Sequence, residues 1–195
     1  RTVYKNLEWE VTLNADKETY TLNITGTGDM ANFDWDGGKS ENKVDYPTYT
    51  PWCIYDYSPK ITTIHIGDNV TSIGSHAFRG MTRLEEVHIP ASVTQIGSCV
   101  FHNSTEKRYI VDKDNPNYMS DDKGVLYNKD QTRLLYYPMN SDLENYILPA
   151  TVKEIDYVAF AGAKLKRLDM SQATALEKIG QEAFSASQLE GNVVL

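Results

Sequence analysis

The chain has 195 residues, enough for one large or two small domains with a sizeable core. Its 41% hydrophobic and 24% charged residues are ordinary for a globular protein, and a formal net charge of −8 argues against nucleic acid or an anionic membrane as partner. No apolar run approaches the roughly 18 residues of a membrane span, and two cysteines are too few for a disulfide framework.

The chain opens Arg1-Thr2-Val3, with neither a Met nor a signal-type apolar stretch, which suggests a mature or trimmed chain. Leu7, Trp9, Val11 and Leu13 alternate with polar residues, as do Tyr20, Leu22 and Ile24. With the polar run 14–18 between them, they predict a β-hairpin over residues 7–25. Residues 26–50 are rich in Gly, Asp and Tyr and read as loop. Residues 1–60 are therefore expected to be a non-repeating cap, covering the open end of a repeat core.

Repeats begin at Ile61. ITTIHIGDNVTSIGSHAFRGM (61–81), LEEVHIPASVTQIGSCVFHN (84–103), LENYILPATVKEIDYVAFAGA (143–163) and LKRLDMSQATALEKIGQEAFSA (165–186) share columns of apolar residues. Phe78, Phe101, Phe160 and Phe184 form one column, and Ile73, Ile96, Ile155 and Ile179 another. Phe78 to Phe101 is 23 residues and Phe160 to Phe184 is 24, within the ~20–29 of leucine-rich repeats. In each unit an alternating stretch such as Ile64-His65-Ile66 predicts a short strand. The later IGxxAF places Ile73, Ala77 and Phe78 on one or two helical turns. Strands are expected near 62–66, 85–89, 145–148, 167–170 and 193–195, with helical turns ending near each repeat Phe. Stacked units would bury a continuous core beneath a parallel ladder.

Residues 105–141 do not fit the unit. Tyr109-Ile110-Val111 could supply one ladder strand, and 124–127 with 134–137 predict a β-hairpin around Asn128-Lys129-Asp130-Gln131. The final residues begin another unit and stop, which suggests a piece of a longer array. The expected fold is thus an α/β repeat: a β-rich leucine-rich-repeat solenoid over 61–195, with an N-terminal hairpin cap and an inserted hairpin island.

The unit, above all Ile89-Pro90-Ala91-Ser92-Val93-Thr94-Gln95-Ile96-Gly97, resembles the BspA-like leucine-rich repeats of bacterial surface proteins. Val111 to Tyr118 and Gly124-Val125-Leu126-Tyr127 look like that family's variant segment. Trp9, Ile24-Thr25-Gly26-Thr27-Gly28 and Pro51-Trp52 are similar to the hairpin that often precedes such arrays. The resemblance implies an exported protein of host-associated bacteria or some parasitic eukaryotes. It implies adhesion or binding to surface molecules, with no enzyme activity and no cofactor.

Constellations that could carry chemistry have simpler explanations. His65 and His88 share a strand position on adjacent rungs, but two imidazoles fall short of a metal site. Cys53, His76 and Cys99 recur at intervals of 23 without an acid to orient the histidine. At two rungs apart, about 10 Å, the cysteines are too distant for a disulfide, which needs about 7 Å. Asp112, Asp114, Asn115, Asn117, Asp121 and Asp122 lack the Gly and terminal Glu of a calcium loop and suit Asx turns. Gly26-Thr27-Gly28 is not followed by the Lys of a phosphate loop. Asn23, Asn69 and Asn103 open glycosylation sequons, relevant only in a eukaryotic secretory pathway.

The expected function is a non-enzymatic, secreted or cell-surface recognition module. Its ladder side would present Thr63, His65, Glu86, His88, Ile147, Arg167 and Asp169 to a host extracellular or bacterial surface macromolecule, protein or glycan. The alternative is a structural spacer that holds another domain away from the cell.

Overall fold

In the computed structural model, which describes residues 2–4, 6–33, 50–54 and 56–190, the alternating residues of the N-terminal stretch form strands β1 (Thr2–Tyr4), β2 (Leu7–Leu13) and β3 (Tyr20–Gly26). β2 and β3 pair antiparallel in unbroken register, from Leu7↔Gly26 to Leu13↔Tyr20. Asp16 closes their turn, accepting hydrogen bonds from the N–H groups of Glu18 and Thr19 and from the Thr19 hydroxyl. These strands belong to the first of two compact units, residues 1–105 and 106–195.

Unit 1 continues through β4 (Gly28–Asp29), the single helical turn α1 (Pro51–Ile54) and a 3-10 turn at Ser58–Lys60. Strands β5 (Ile61–Ile66), β6 (Val70–Ile73), β7 (Glu86–Ile89) and β8 (Gln95–Ile96) follow. β5 lies parallel to β3, and β7 parallel to β5. A second ladder runs β4–β6–β8, also parallel. Residues 28–29, expected in a loop, are therefore its first strand. Each repeat thus contributes two strands, and the second, two to four residues long, is too short to show periodicity.

Unit 2 contains β9 (Arg108–Val111), β10 (Tyr118–Ser120), β11 (Leu126–Asn128) and β12 (Arg133–Tyr136). Then come β13 (Asn145–Ile147), β14 (Glu154–Ile155), β15 (Arg167–Asp169) and β16 (Lys178–Ile179). β10, β11 and β12 are antiparallel neighbours, and β14 and β16 then add in parallel. β13 and β15 form a separate parallel pair. The strand expected at 193–195 lies outside the described residues.

The IGxxAF half is not helical, contrary to the α/β expectation: the fold is strand-rich, and the helical turns that are described, at 51–54 and 58–60, lie outside the IGxxAF segments. It is a chain of linked β-turns. In one repeat the N–H groups of Ala159, Ala161 and Ala163 bond the carbonyls three residues back, at Asp156, Val158 and Phe160. The intervening N–H groups point to the next rung: Val158 to Gln181, Phe160 to Ala183 and Gly162 to Ser185. Such turns need left-handed residues, and these form two columns. His76, Cys99, Val158 and Glu182 have φ of 52–57° and form one; Asn103 and Ala186 at 54–58°, with Gly80 and Gly162 at 71–73°, form the other. The spacing i, i+4, i+5 fits a helix equally well, but the interlocked rungs satisfy the backbone differently.

The glycine of IGxxAF has its own cause. A Cβ on Gly97 would lie 2.4 Å from the Ser75 nitrogen, and one on Gly180 2.5 Å from the Asp156 carbonyl carbon. At both places adjacent rungs meet backbone to backbone.

Val158 is the anomaly, because a β-branched side chain in the left-handed region is strained. We expect Val158→Asn to stabilise the protein by about 1 kcal/mol, since asparagine tolerates this region. A urea midpoint at or below that of the parent would refute the strain.

Aromatic rings fill the centre of each unit. Trp52 stacks on Phe78 at 5.7 Å, and Phe78 on Phe101 at 5.8 Å. In unit 2, Tyr137 stacks on Phe160 at 5.0 Å and Phe160 on Phe184 at 5.3 Å. These separations approach the strand spacing of about 4.8 Å that sets the rung height. The repeat offset puts Ile54 over Ala77, yet Ile54 is 64% exposed and Ala77 is buried. The helical turn instead brings in Trp52, whose Nε1 donates to the Ala77 carbonyl at 3.0 Å. Tyr55, which the same offset puts over Phe78, lies outside the described residues.

Candidate interaction surface

From Thr63 onward on β5, and along β7, outward and buried residues alternate. Ile64, Ile66, Val87 and Ile89 are buried, while Thr63, His65, Glu86 and His88 point outward. Parallel pairing sets Thr63 beside Glu86 and His65 beside His88. The imidazole centroids of His65 and His88 lie 4.2 Å apart with planes inclined by 38°. Glu86 Oε2 is 3.1 Å from His88 Nε2. His65 titrates below its ordinary value of 6.5: partial burial disfavours the imidazolium most, the His88 ring adds to this, and the Glu86 carboxylate opposes it.

The hairpin extends this face, which the sequence reading did not foresee. Thr21 pairs with Thr63 and Asn23 with His65. In turn Thr12 pairs with Thr21 and Glu10 with Asn23. Two rows result, Thr12–Thr21–Thr63–Glu86 and Glu10–Asn23–His65–His88. A depression of about 390 Å³ lies on the hairpin part of the unit, lined by Glu8, Trp9, Glu10, Val11, Thr25 and Tyr57.

Unit 2 has its own outward positions. Ile147 pairs with Asp169, and Arg167 with Asn145. All four are exposed, Ile147 at 58%. The Asp169 carboxyl is held below the usual carboxylate range by hydrogen bonds from Ser171, whose N–H lies 2.9 Å from Oδ1. The residues expected on the ladder side therefore form two sets, Thr63, His65, Glu86 and His88 in unit 1 and Ile147, Arg167 and Asp169 in unit 2.

Residues 51–123 and 136–193 match the BspA type leucine rich repeat region in six copies. The chain belongs to the BspA-type leucine-rich-repeat family. Six copies exceed the four whole units read from the sequence, because the matched stretches take in residues 51–60 and parts of 105–141. BspA-type proteins are generally non-enzymatic repeat proteins, and repeat arrays use extended faces for binding. Three solved structures are similar. A leucine-rich repeat protein from Eubacterium ventriosum is 20% identical with a TM-score of 0.41, over 94% of this chain and 62% of its own. The pneumococcal vaccine antigen PcpA is 20% identical with a TM-score of 0.47, over 97% and 69%. A leucine rich cell surface protein from Faecalibacterium prausnitzii is 18% identical with a TM-score of 0.35, over 92% and 76%. This chain thus spans less than two thirds of the Eubacterium protein. A comparison with curated proteins found no match.

Several polar side chains of these BspA-type repeats close turns. Asp112, Asn115 and Asp121 each accept backbone N–H groups two residues on, as Asx turns do. Neither Cys53, which is exposed, nor the half-buried Cys99 is in a disulfide. No group of three or more His, Cys, Asp or Glu among the described residues could hold a metal ion. No helix of the described residues is long and apolar enough to cross a membrane.

Beneath the surface of unit 2, Tyr146 donates to Asp121 Oδ2 at 2.5 Å and is also hydrogen-bonded to the Tyr127 hydroxyl. Burial pushes both phenols above their ordinary range. Arg133 on β12 bridges to Asp156 at 2.8 Å, and Lys178 on β16 to Glu154 at 2.6 Å. These links tie successive rungs together. As exposed pairs, each contributes roughly 0–1 kcal/mol.

Proposed function

We propose that this chain is a non-enzymatic recognition module displayed outside a bacterial cell, binding a macromolecule through the outward residues of its ladder strands. The observation that carries the reading is the row of Thr63, His65, Glu86 and His88, held in register above the buried Ile64, Ile66, Val87 and Ile89. A broad, mixed surface built on rigid strands suits a protein or glycan better than a small substrate. Ile147, Arg167 and Asp169 serve the same purpose in unit 2. Residues 1–60 act as the cap of the repeats in 61–195, a role supported by the direct pairing of β3 on β5. Segment 105–141 is a variant inserted among them.

The test is a binding screen against extracellular-matrix proteins and glycans, repeated with two double variants. His65→Ala/His88→Ala and Arg167→Ala/Asp169→Ala probe the faces of units 1 and 2. At least one is expected to weaken binding by about tenfold, the loss typical of removing a central contact. A partner whose affinity neither variant changes would remove the site from the ladder strands and overturn the assignment.

A further inference from the structure

The unit 1 face has a definite charge character. Its outward described positions on β2, β3, β5 and β7 include the carboxylates Glu8, Glu10 and Glu86 and no Lys or Arg. Two of these carboxylates, Glu8 and Glu10, line the depression of about 390 Å³. A depression lined by two carboxylates attracts the cationic head of a lysine or arginine. At the other end of the same face stand His65 and His88, at 4.2 Å centroid separation. They are two of only four histidines in the chain.

We propose that this face docks a basic protein segment, and that the His65–His88 pair releases it on acidification. The proposal rests on the reading of the ladder side as a binding surface and adds the partner's chemistry and its control.

At neutral pH the two rings lie against each other, and the carboxylates set the sign of the face. Below the histidine range the same two rings add positive charge, which opposes a basic partner and opposes itself across 4.2 Å. The groups facing His65 are few. From β3 come Asn23 and Thr25, which do not titrate, and from β7 come His88 and the carboxylate of Glu86. Burial and the His88 ring hold His65 neutral to lower pH than an isolated histidine, against the pull of Glu86. Release is therefore a response to definite acidification, and at about pH 5.5 most carboxylates remain charged. Loss of binding there belongs to the histidines.

The test uses the whole isotope-labelled chain, with an oligolysine peptide as probe and an oligoglutamate as control. Amide NMR shifts locate binding at about pH 7.5 and about pH 5.5. Oligolysine is expected to shift the amides of β2, β3, β5 and β7 and to bind about fivefold more weakly at the lower pH. In a His65→Asn/His88→Asn variant, whatever affinity is lost with the two contacts, the ratio of affinities at the two pH values should fall to nearly one. Shifts confined to other surfaces, or an unchanged pH dependence in the variant, would overturn the proposal. So would a His65 ring that titrates at the ordinary histidine value both with His88 present and in His88→Asn. If oligolysine fails to bind while a partner from the broader screen depends on the ladder residues, the basic-segment assignment falls and the recognition reading stands.

Discussion

Phe160→Ala is expected to destabilise unit 2 by about 3–5 kcal/mol, the largest effect of any single truncation considered for this chain. The side chain is fully buried and sits between two rings, Tyr137 at 5.0 Å and Phe184 at 5.3 Å. Alanine would remove most of a phenyl group's burial, leave a void, and take away the ring on which both Tyr137 and Phe184 stack. Phe184 provides the internal control. It stacks on only one side in the described structure and is half-buried. Its truncation should cost about half as much, because partly exposed side chains lose less transfer energy. Amide hydrogen exchange of Leu148, Val152 and Ile155, packed in the same core, reads the effect directly. Tryptophan fluorescence would not serve, since Trp9, Trp35 and Trp52 all belong to residues 1–105. Equal losses for Phe160→Ala and Phe184→Ala would show that the ring column does not carry the stability of the unit.

That column also shows where a sequence can be read and where it cannot. Ile64, His65, Val87 and His88 were legible because strand alternation forces opposite fates on neighbours, and an interval of 23 fixes which residues lie side by side. Tyr137 was legible in principle, standing 23 residues before Phe160. Its place at the end of the hairpin stretch 134–137 masks that spacing. Trp52 was not legible, because it precedes Phe78 by 26 residues and reaches its place only through the turn at Pro51–Ile54. The linked β-turns of IGxxAF were likewise hidden. Their left-handed residues include His76, Cys99, Val158 and Glu182, types that announce nothing about φ. The part of the face contributed by β2 and β3 depends on a parallel pairing between β3 and β5, segments separated by 34 residues with no shared spacing. Local pattern specifies the strand; the partner is chosen by packing.

Glu106→Gln is expected to stabilise the protein by about 3 kcal/mol at about pH 8 and by little at about pH 5. Glu106 opens unit 2 and is only 3% exposed. Its Oε1 accepts a hydrogen bond from the Tyr109 hydroxyl at 2.9 Å and a long one from the Met139 N–H at 3.5 Å, while Oε2 is buried without a partner. Burial therefore dominates, pushing the carboxyl from 4.5 up to about 7, and the hydrogen bonds only moderate the rise. The sign follows from proton counting. Between 4.5 and about 7 the folded chain keeps a proton that the unfolded chain has lost, so stability falls as pH rises through that window and is level above it. Below 4.5 both states are protonated and the penalty vanishes. Glutamine has nearly the same shape and never ionises. It can offer its carbonyl to Tyr109 and Met139, leaving its amide where the protonated acid leaves its hydroxyl. Acid and amide are therefore nearly equivalent at low pH, and only the buried anion separates them at high pH. Differencing the two melting curves at each pH cancels every other titrating group, since both chains share them. A gain in Tm that is the same at both pH values would mean that Glu106 ionises in the ordinary carboxylate range, with water reaching Oε2.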